Sequence, residues 1–338
     1  MHILLTGAGG FVGHHVLEHF LINTDAIITV TDSFRHHGIT DRITEAMKAH
    51  PSESHRVKVI THDLMVPFSS ILINKIEKNG AVDVILNIAS ESHVDRSITE
   101  PVPFVKNNVD IMLTMLELSR ALKPKMFLHL STDEVYGAVP FGRPSKEWDS
   151  ILPSNPYSAS KAAQEAFAIS WWRTYNIPLV IINCMNIIGE RQDPEKFIPK
   201  TINRVLNDEK MTIHASPDGE IGTRHYLHAR NLADAMLFIV NNVKPAQYPD
   251  KVFPDRFHVV GEQAIDNLTV AKLISGFIGK ELDYELISVN TVRPGHDLHY
   301  SLDGTKIADL GWEAPLSLQE CLKKTTLWSL KHPEWLKK

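Results

Sequence analysis

Cysteine is nearly absent from this chain. Only Cys184 and Cys321 occur among 338 residues, and neither belongs to a C-x-x-C pair. Such sparse use excludes a disulfide-rich secreted fold and a thiolate zinc site. We therefore predict a protein of a reducing compartment that holds no metal.

Long apolar runs and a strong charge imbalance are also missing. No apolar stretch approaches the roughly 18 residues that span a bilayer. Residues 1–5 pass directly into a glycine turn, without the basic and apolar segments of a signal peptide. The formal net charge of −5 argues against nucleic acid or an anionic membrane as the main partner. We expect a cytoplasmic protein that binds neither.

A glycine-rich turn follows the first apolar segment. Residues 2–6 are typical of a buried strand, and Gly7, Gly10 and Gly13 follow it before a helical pattern over 14–20. This spacing provides a tight turn and lets the backbone approach a phosphate closely. The free N–H groups at the start of the helix attract anions. The pattern predicts a dinucleotide site.

An acidic residue stands where such a site needs one. A second apolar strand, residues 27–31, ends in Asp32. Dinucleotide-binding folds place a carboxylate here for the ribose hydroxyls. Because this carboxylate would repel a 2′-phosphate, NAD is favoured over NADP, although the nearby Arg35 weakens that preference.

Further apolar segments recur at the spacing of an α/β fold. Helical patterns separate them, and they are apolar almost throughout, as parallel strands covered on both faces are. They comprise residues 57–61, 83–88, 126–130 and 179–183. We predict a Rossmann-type doubly wound parallel sheet over residues 1–183 with return segments near 224–262, one of them a strand at 257–260. A smaller C-terminal substrate-binding lobe is predicted over 184–338.

Reactive side chains stand at one predicted strand end and on the helix after it. Thr132, Asp133 and Glu134 follow an apolar run, and Tyr157 and Lys161 share one helix face. A lysine ammonium lowers the pKa of a neighbouring tyrosine, and two adjacent carboxyls can divide acid and base roles. We predict that these five residues form a catalytic centre. Without the glycine motif, solvated acids beside an ordinary amphipathic helix would explain them equally well.

Two other patterns have competing interpretations. The helices predicted over 105–122 and 157–175 are apolar on more than one face, which favours a homodimer interface or a fully covered core position.

His15, Glu18 and His19 match the H-x-x-E-H zinc pattern. We expect that segment to lie on a solvent-facing side of the first helix, and we assign it no metal.

Together the motifs resemble the extended short-chain dehydrogenase/reductase superfamily, and within it the dTDP-glucose 4,6-dehydratases, over almost the whole chain. The motifs are Gly7-x-x-Gly10-x-x-Gly13, Glu91-Ser92-His93-Val94-Asp95-Arg96-Ser97-Ile98, Ser131-Thr132-Asp133-Glu134-Val135-Tyr136-Gly137, Tyr157-Ser158-Ala159-Ser160-Lys161, Pro194-Glu195-Lys196-Phe197-Ile198-Pro199 and Arg293-Pro294-Gly295-His296-Asp297. The Asp-Glu pair is the specific part, since related epimerases and decarboxylases share the glycines and Tyr-x-x-x-Lys without it.

The resemblance implies a nucleotide-sugar 4,6-dehydratase that uses NAD. Tyr157, held as phenolate by Lys161 and the nicotinamide charge, would take the proton of the sugar C4 hydroxyl while hydride passes to NAD. Glu134 would remove the C5 proton, Asp133 would protonate the departing C6 hydroxyl, and Thr132 would bind the C4 oxygen. Hydride return to C6 would give a 4-keto-6-deoxy sugar.

The same resemblance implies two sets of binding residues. Those lining NAD would be Gly7, Gly10, Phe11, Val12, Gly13, Asp32, Asp63, Leu64, Ala89, Ser90, Tyr157, Lys161 and Asn186. Those lining the nucleotide sugar would be Ser92, Lys196, Phe197, Arg224, Asn267, Arg293 and His296.

Two departures from the family pattern leave the substrate open. Asn186-Ile187-Ile188-Gly189-Glu190 replaces the common Asn-Asn-Tyr-Gly-Pro, and His225-Tyr226 follows Arg224 in place of Asp-Trp. A dTDP-hexose, a UDP-hexose and a UDP-N-acetylhexosamine are all compatible with these changes. An epimerase, a decarboxylase or a 5,6-dehydratase on the same scaffold is an alternative, and a non-catalytic NAD-binding regulator is a remote one.

Overall fold

A computed structural model describes residues 1–35, 38–138, 143–216, 218–288 and 300–337. Within them, seven strands form one parallel sheet. They are β1 (His2–Thr6), β2 (Ile27–Asp32), β3 (Val57–Thr61), β4 (Val84–Asn87), β5 (Met126–Thr132), β6 (Leu179–Cys184) and β11 (Asp255–Val259).

The strand order confirms the predicted Rossmann-type fold. The strands lie side by side as β11-β6-β5-β4-β1-β2-β3. Every residue of β1, β5 and β6 is buried, as expected for central strands that are apolar along most of their length. The order reverses between β1 and β4, and the crevice beyond the carboxyl ends of the strands at such a reversal is where doubly wound sheets bind ligands.

Helices cover both faces of the sheet. The α-helices in the described part of the chain, including those outside the sheet layers, are α1 (Phe11–Asn23), α2 (Thr40–Ala49), α3 (Ser70–Glu77), α4 (Val94–Thr99), α5 (Pro101–Leu122), α6 (Pro156–Tyr175), α7 (Phe197–Leu206), α8 (Ala229–Asn242), α9 (Asn267–Ile278), α10 (Thr305–Asp309) and α11 (Leu318–Lys331). Helices α1 and α8 pack together on one face, and α5 and α6 pack together on the other. None of these helices combines the length and the apolar character that crossing a membrane requires.

Small sheets form after residue 186. Two-stranded pairs join β7 (Ile187–Ile188) to β10 (Leu227–His228), β9 (Thr223–His225) to β12 (Ala264–Asp266), and β8 (Met211–Ala215) to β13 (Tyr284–Ser288). They surround a separate apolar cluster formed mainly by α7, α9 and α11. These elements stand near the carboxyl ends of the main strands and enclose the crevice there.

The structure also corrects predicted boundaries. The first helix begins at Phe11, three residues before the predicted start, because glycines in its first turn conceal the helical pattern. Helix α5 begins at Pro101, where proline occupies the first turn, rather than at 105. The segment predicted at 257–260 does return to the sheet, as β11 paired with β6.

Gly13 allows α1 to pack directly against the turn that precedes it. A Cβ atom at this position would lie 2.0 Å from the carbonyl oxygen of Gly7 and 2.9 Å from Cα of Ala8. Gly7 has a φ of +76°, a left-handed conformation that glycine adopts without strain. The glycine spacing is therefore required by the close contact of helix and turn, in addition to any role in binding.

We predict that Gly13→Ala lowers the free energy of unfolding by about 3 kcal/mol, because the added methyl group meets backbone atoms that cannot move aside. Chemical denaturation measures this loss. Gly276→Ala in α9 is the control, since a Cβ there meets nothing within 4 Å. The control should raise stability by up to about 1 kcal/mol. Equal stability of the two variants would contradict the proposed packing constraint.

Candidate active site

A cleft of about 1190 Å³ runs along the carboxyl ends of the strands. Its volume exceeds the roughly 300–1,000 Å³ typical of a single small-molecule site. Most residues predicted for the site line it: Gly7, Gly10, Phe11, Val12, Gly13, Asp32, Leu64, Ala89, Ser90, Ser92, Thr132, Asp133, Glu134, Tyr157, Lys161, Asn186, Lys196, Phe197, Arg224 and Asn267. Asp63 is not among the lining residues, and Arg293 and His296 lie outside the described residues.

One end of the cleft has the features that a dinucleotide requires. The side chain of Asp32 accepts hydrogen bonds from the backbone N–H groups of Gly9 and Phe34, both at 2.8 Å, which fix its carboxylate at the tip of β2. Helix α1 begins after Gly10 without a side-chain cap. Its first N–H groups therefore remain available to an anion in the cleft. These features fit the ribose and the diphosphate of NAD.

Asp63 acts on this region indirectly. Its Oδ1 accepts a hydrogen bond from Nη2 of Arg35 at 2.7 Å. Arg35 lines the cleft beside Asp32. The pairing holds the Arg35 guanidinium at Asp63, which reduces its availability for a 2′-phosphate.

The tip of β5 carries two carboxyls in different surroundings. Thr132 Oγ1 donates to Asp133 Oδ1 at 2.9 Å and accepts from the backbone N–H of Glu134 at 3.3 Å. Asp133 is buried, whereas Glu134 is half-buried and its Oε2 accepts from Nδ2 of Asn155 at 3.2 Å. Burial and the neighbouring Glu134 carboxylate raise the pKa of Asp133 to about 7. Asp133 thus keeps its proton up to about pH 7, well above the range of an ordinary carboxyl, as a general acid needs.

Helix α6 brings the tyrosine to the same place. Asn155 caps the helix in a capping box with Ser158, and the first turn presents Tyr157 to the tip of β5. Tyr157 lies beside Thr132, whose hydroxyl favours the phenolate form of the tyrosine. The structure thereby brings the acid pair and the tyrosine, which are more than 20 residues apart in sequence, into one site.

The electrostatics of the tyrosine differ from the sequence-based prediction. Burial and the Glu134 carboxylate raise the pKa of Tyr157 well above its usual range, so the predicted lowering by Lys161 is wrong for the protein without ligands. Lys161 Nζ instead donates to the carbonyl oxygen of Leu130 at 2.8 Å and to Oε1 of Gln164 at 2.6 Å. Burial lowers the pKa of Lys161 to about 8.

A buried polar network that no sequence motif predicts supports α6. Gln164 Nε2 donates to the carbonyl oxygen of Asn108 at 2.6 Å, and Asn108 Nδ2 donates to Ser160 Oγ at 2.8 Å and to the carbonyl oxygen of Glu91 at 3.0 Å. A buried amide inside α5 has no distinguishing local pattern. The capping role of Asn155 was recognisable, because asparagine before proline is typical of a helix start.

One side of the cleft is formed by the small sheets. Arg224 is buried and its guanidinium lies 5.0 Å from the ring of Tyr300. Asn267 Oδ1 accepts a hydrogen bond from the hydroxyl of Tyr226 at 2.6 Å. Lys196 precedes the first turn of α7. Cationic and amide groups thus line this part of the cleft, as recognition of a diphosphate and a base requires.

The H-x-x-E-H segment is buried more deeply than expected. His15 is fully buried, and its Nε2 lies 3.0 Å from the carbonyl oxygen of Glu190. Glu18 contacts His50 instead, at 3.1 Å. The expectation of a solvent-facing side is therefore wrong for His15, because α8 and the segment after β7 cover α1. Among the described residues, no group of three histidine, cysteine or acidic side chains could hold a metal ion.

Comparison with known proteins agrees with this geometry. The family model described as GDP-mannose 4,6 dehydratase matches residues 4–325. The chain belongs to this family. A dTDP-glucose 4,6-dehydratase of Shigella flexneri is 31% identical over 360 residues, covering 99% of this chain and 94% of that protein. The resemblance to short-chain dehydrogenase/reductase enzymes of the dTDP-glucose 4,6-dehydratase type is confirmed.

Solved structures of family relatives share the architecture. The dTDP-glucose 4,6-dehydratase DesIV of Streptomyces venezuelae, solved with NAD and thymidine diphosphate bound, has a TM-score of 0.85 and 27% identity over 99% of this chain and 98% of that one. A UDP-glucose 4-epimerase of Thermus thermophilus, solved with NAD, has a TM-score of 0.81 over 96% of this chain and 98% of that one. At 23% identity, the epimerase indicates a common fold only.

We predict that Asp133→Asn makes the protein more stable than the wild type at pH 8, by about 4 kcal/mol. The pKa of Asp133 rises from an ordinary 3.8 to about 7 on folding, so the native state binds its proton more tightly. Between about pH 4 and pH 7 the carboxyl ionises more readily in the unfolded state, so the free energy of unfolding falls as pH rises. Asparagine does not ionise, and the variant therefore keeps this stability. Denaturation at pH 4 and pH 8 measures the difference, which should vanish at the lower pH.

Asp83→Asn is the control with the opposite sign. Asp83 accepts hydrogen bonds from Lys125 and from the backbone N–H of His2, and these lower its pKa. Its carboxylate stabilises the native state above the unfolded pKa, so this variant should be less stable than the wild type at pH 8. A loss of stability at pH 8 in both variants would show that Asp133 is ionised in the native state, against our assignment.

Proposed function

We propose that this protein is an NAD-dependent nucleotide-sugar 4,6-dehydratase, a hydro-lyase that converts an NDP-hexose to the NDP-4-keto-6-deoxy sugar. The observation that carries the proposal is the pair Asp133 and Glu134 at the tip of β5, one buried and one partly exposed, beside Tyr157. Oxidation at C4 alone needs a tyrosine and a cofactor. A neighbouring acid and base are needed only if water is also eliminated.

The cofactor proposal rests on the fit of one end of the cleft. Asp32 would hold the adenosine ribose, and the uncapped start of α1 would hold the diphosphate. Ala89, Ser90 and Asn186 would line the remainder. When bound, NAD supplies a hydride acceptor and a positive charge. A cofactor with this role is regenerated in each turnover and need not leave.

Tyr157 and Thr132 would act on the C4 oxygen of the sugar. Both side chains line the cleft, and the Thr132 hydroxyl lies close enough to Tyr157 to favour its phenolate, so both could reach the same substrate atom. Because the pKa of Tyr157 is raised in the protein without ligands, its proton leaves readily only when cationic charge is added. The positive charge of the bound cofactor would supply it, while Lys161, buried one helical turn away, holds its own proton up to a pH of about 8.

Asp133 and Glu134 would act as the acid and the base in the elimination of water. Asp133 holds its proton up to about pH 7 and would donate it to the departing C6 hydroxyl. Glu134, fixed by Asn155 and open to the cleft, would accept the C5 proton. Activity should fall as pH rises through about 7, since Asp133 then loses the proton it must donate.

The small sheets would bind the nucleotide. We propose that residues 1–183, with the returns near 224–262, form the cofactor domain, and that 184–338 form most of the substrate lobe. Ser92, Lys196, Phe197, Arg224 and Asn267 would contact the nucleotide sugar, because all of them line the cleft. We also propose Arg293 and His296 for this set, on the family motif alone.

A substrate panel tests the proposed function. Purified protein is incubated with dTDP-, UDP-, CDP- and GDP-hexoses, and products are analysed by mass spectrometry and NMR. We expect the loss of one water and a new C6 methyl group with a dTDP- or UDP-hexose. A product of unchanged mass with an inverted C4 would indicate an epimerase, and no turnover of any sugar would favour a regulator.

We predict that Glu134→Gln retains NAD but nearly abolishes exchange of the C5 proton with solvent deuterium. The amide preserves the shape of the side chain and its contact with Asn155 but cannot accept the proton. Mass spectrometry of recovered substrate measures exchange. Asp133→Asn is the matched variant, which should slow loss of water more than exchange. Exchange near the wild-type rate in Glu134→Gln would exclude Glu134 as the base.

We also propose a homodimer formed through α5 and α6. Val109 and Leu113 on α5, and Phe167 and Trp171 on α6, are apolar side chains left partly exposed on the outer side of this helix pair. Trp171 is held in place by a 2.7 Å hydrogen bond from its Nε1 to Glu117. A second copy related by a two-fold axis would bury both helices in a four-helix contact.

Ala166→Arg tests this interface. Ala166 is exposed on the outer side of α6, so a long charged side chain is tolerated in one chain but obstructs a second copy. Light scattering should give a dimer for the wild type and a monomer for the variant. Ile71→Arg on α3, at a residue that is 77% exposed, is the control and should stay dimeric. A monomeric wild type would contradict the proposal.

A further inference from the structure

A buried arginine outside the catalytic set connects the glycine turn to the segment that leads into the substrate side. Arg42 lies on α2 and its side chain is 2% exposed. Its Nη1 donates to the carbonyl oxygen of Gly9 at 3.2 Å. Its Nη2 donates to the carbonyl oxygen of Arg191 at 2.8 Å and to Asp193 Oδ1 at 3.1 Å, and its Nε donates to the same Arg191 carbonyl at 3.2 Å.

The segment it holds, residues 189–193, is under backbone constraint. Arg191 has a φ of +63°, a left-handed conformation that costs a non-glycine residue about 1 kcal/mol. The two hydrogen bonds from Arg42 to its carbonyl oxygen favour that conformation. Glu45, one turn further along α2, pairs with the Arg191 guanidinium at 2.5 Å. Helix α2 therefore fixes both the backbone and the side chain of this residue.

Segment 189–193 lies between residues proposed for NAD and residues proposed for the nucleotide sugar. It follows Asn186, a residue proposed for NAD, and precedes Lys196, a residue proposed for the nucleotide sugar. Asp193 itself lines the cleft. At its other end, Arg42 holds the carbonyl of Gly9, whose N–H binds the Asp32 carboxylate. One side chain thus joins the proposed ribose and diphosphate site to the start of the substrate lobe.

We infer that Arg42 is a positioning residue that couples dinucleotide binding to the conformation of segment 189–193. A guanidinium has donors in a fixed fork, so it can hold three acceptors on two segments in one arrangement. Ordering of the glycine turn by a dinucleotide restricts Gly9 and, through Arg42, restricts Arg191 and Asp193. By linkage, a ligand that orders 189–193 tightens dinucleotide binding by the same factor. The inference rests on the proposed NAD site but not on the sugar chemistry.

Amide hydrogen exchange with and without NAD+ tests the coupling, and no sugar is added. In the wild type, NAD+ should slow exchange in peptides that cover 189–196. In Arg42→Met, saturating NAD+ should no longer slow exchange there, while protection of the glycine turn persists. The NAD+ dissociation constant should also rise at least about tenfold, because charged hydrogen bonds to buried carbonyls are lost. Arg42→Lys, which keeps the charge but loses the fork, should restore affinity only in part.

Arg56→Met is the control for loss of a guanidinium that binds carbonyl groups. Arg56 donates to the carbonyl oxygens of Thr24, Ala26 and Leu21, away from the cleft. This variant should lose stability but keep the NAD+-dependent protection of 189–196. If Arg42→Met does not fold, Asp193→Asn replaces it and should weaken the same protection.

Two outcomes contradict the inference. Protection of 189–196 that persists in Arg42→Met would show that Arg42 does not transmit the effect. Bound NAD+ without any protection of 189–196 in the wild type would show that no coupling exists. A wild type that does not bind NAD+ would contradict the proposed function as well, so the two failures are distinguishable.

Discussion

The docking of α6 against the tip of β5 is the contact on which the active site depends. Lys161 Nζ donates to the carbonyl oxygen of Leu130 inside β5, and Tyr157 lies beside Thr132 at its end. These two contacts fix the helix relative to the strand. The tyrosine and the acid pair can therefore face the same ligand, although a long connection separates them in the chain.

Burial at this junction gives each titratable group a different character. It raises the pKa of Asp133 and Tyr157 and lowers that of Lys161. The site therefore has a neutral carboxyl, a neutral phenol and a lysine of reduced basicity before any ligand binds. Glu134, which reaches the cleft, is the member of the acid pair available to act as a base. Chemistry that removes a proton at one carbon and protonates a leaving group at the next requires this asymmetry.

The parts of the fold that follow from local patterns were predictable. The strand β3 has the predicted bounds, and the glycine turn and Asp32 occupy the predicted ends of β1 and β2. The return of β11 to the sheet was also recognisable as an apolar run. These features depend on short-range periodicity and on glycine positions that the backbone geometry requires.

The features that escaped prediction depend on contacts between distant segments. The direction of the Tyr157 pKa shift depends on burial, which no spacing reveals. Arg42 resembles any surface arginine of an amphipathic helix until α2 is placed beside residues 189–193. The buried position of His15 likewise follows from the packing of α1 against α8 and Glu190. Sequence motifs predicted the candidate reacting groups, whereas the directions of their pKa shifts follow from tertiary structure.

The most direct test of the proposed reaction follows a deuterium label placed at C4 of a dTDP- or UDP-hexose. If Tyr157, Asp133 and Glu134 act on one sugar in one enclosed cleft, the label is recovered at C6 of the 4-keto-6-deoxy product. Recovery of the label at C4 of a product that keeps its C6 hydroxyl, or its loss to solvent water, would contradict the account.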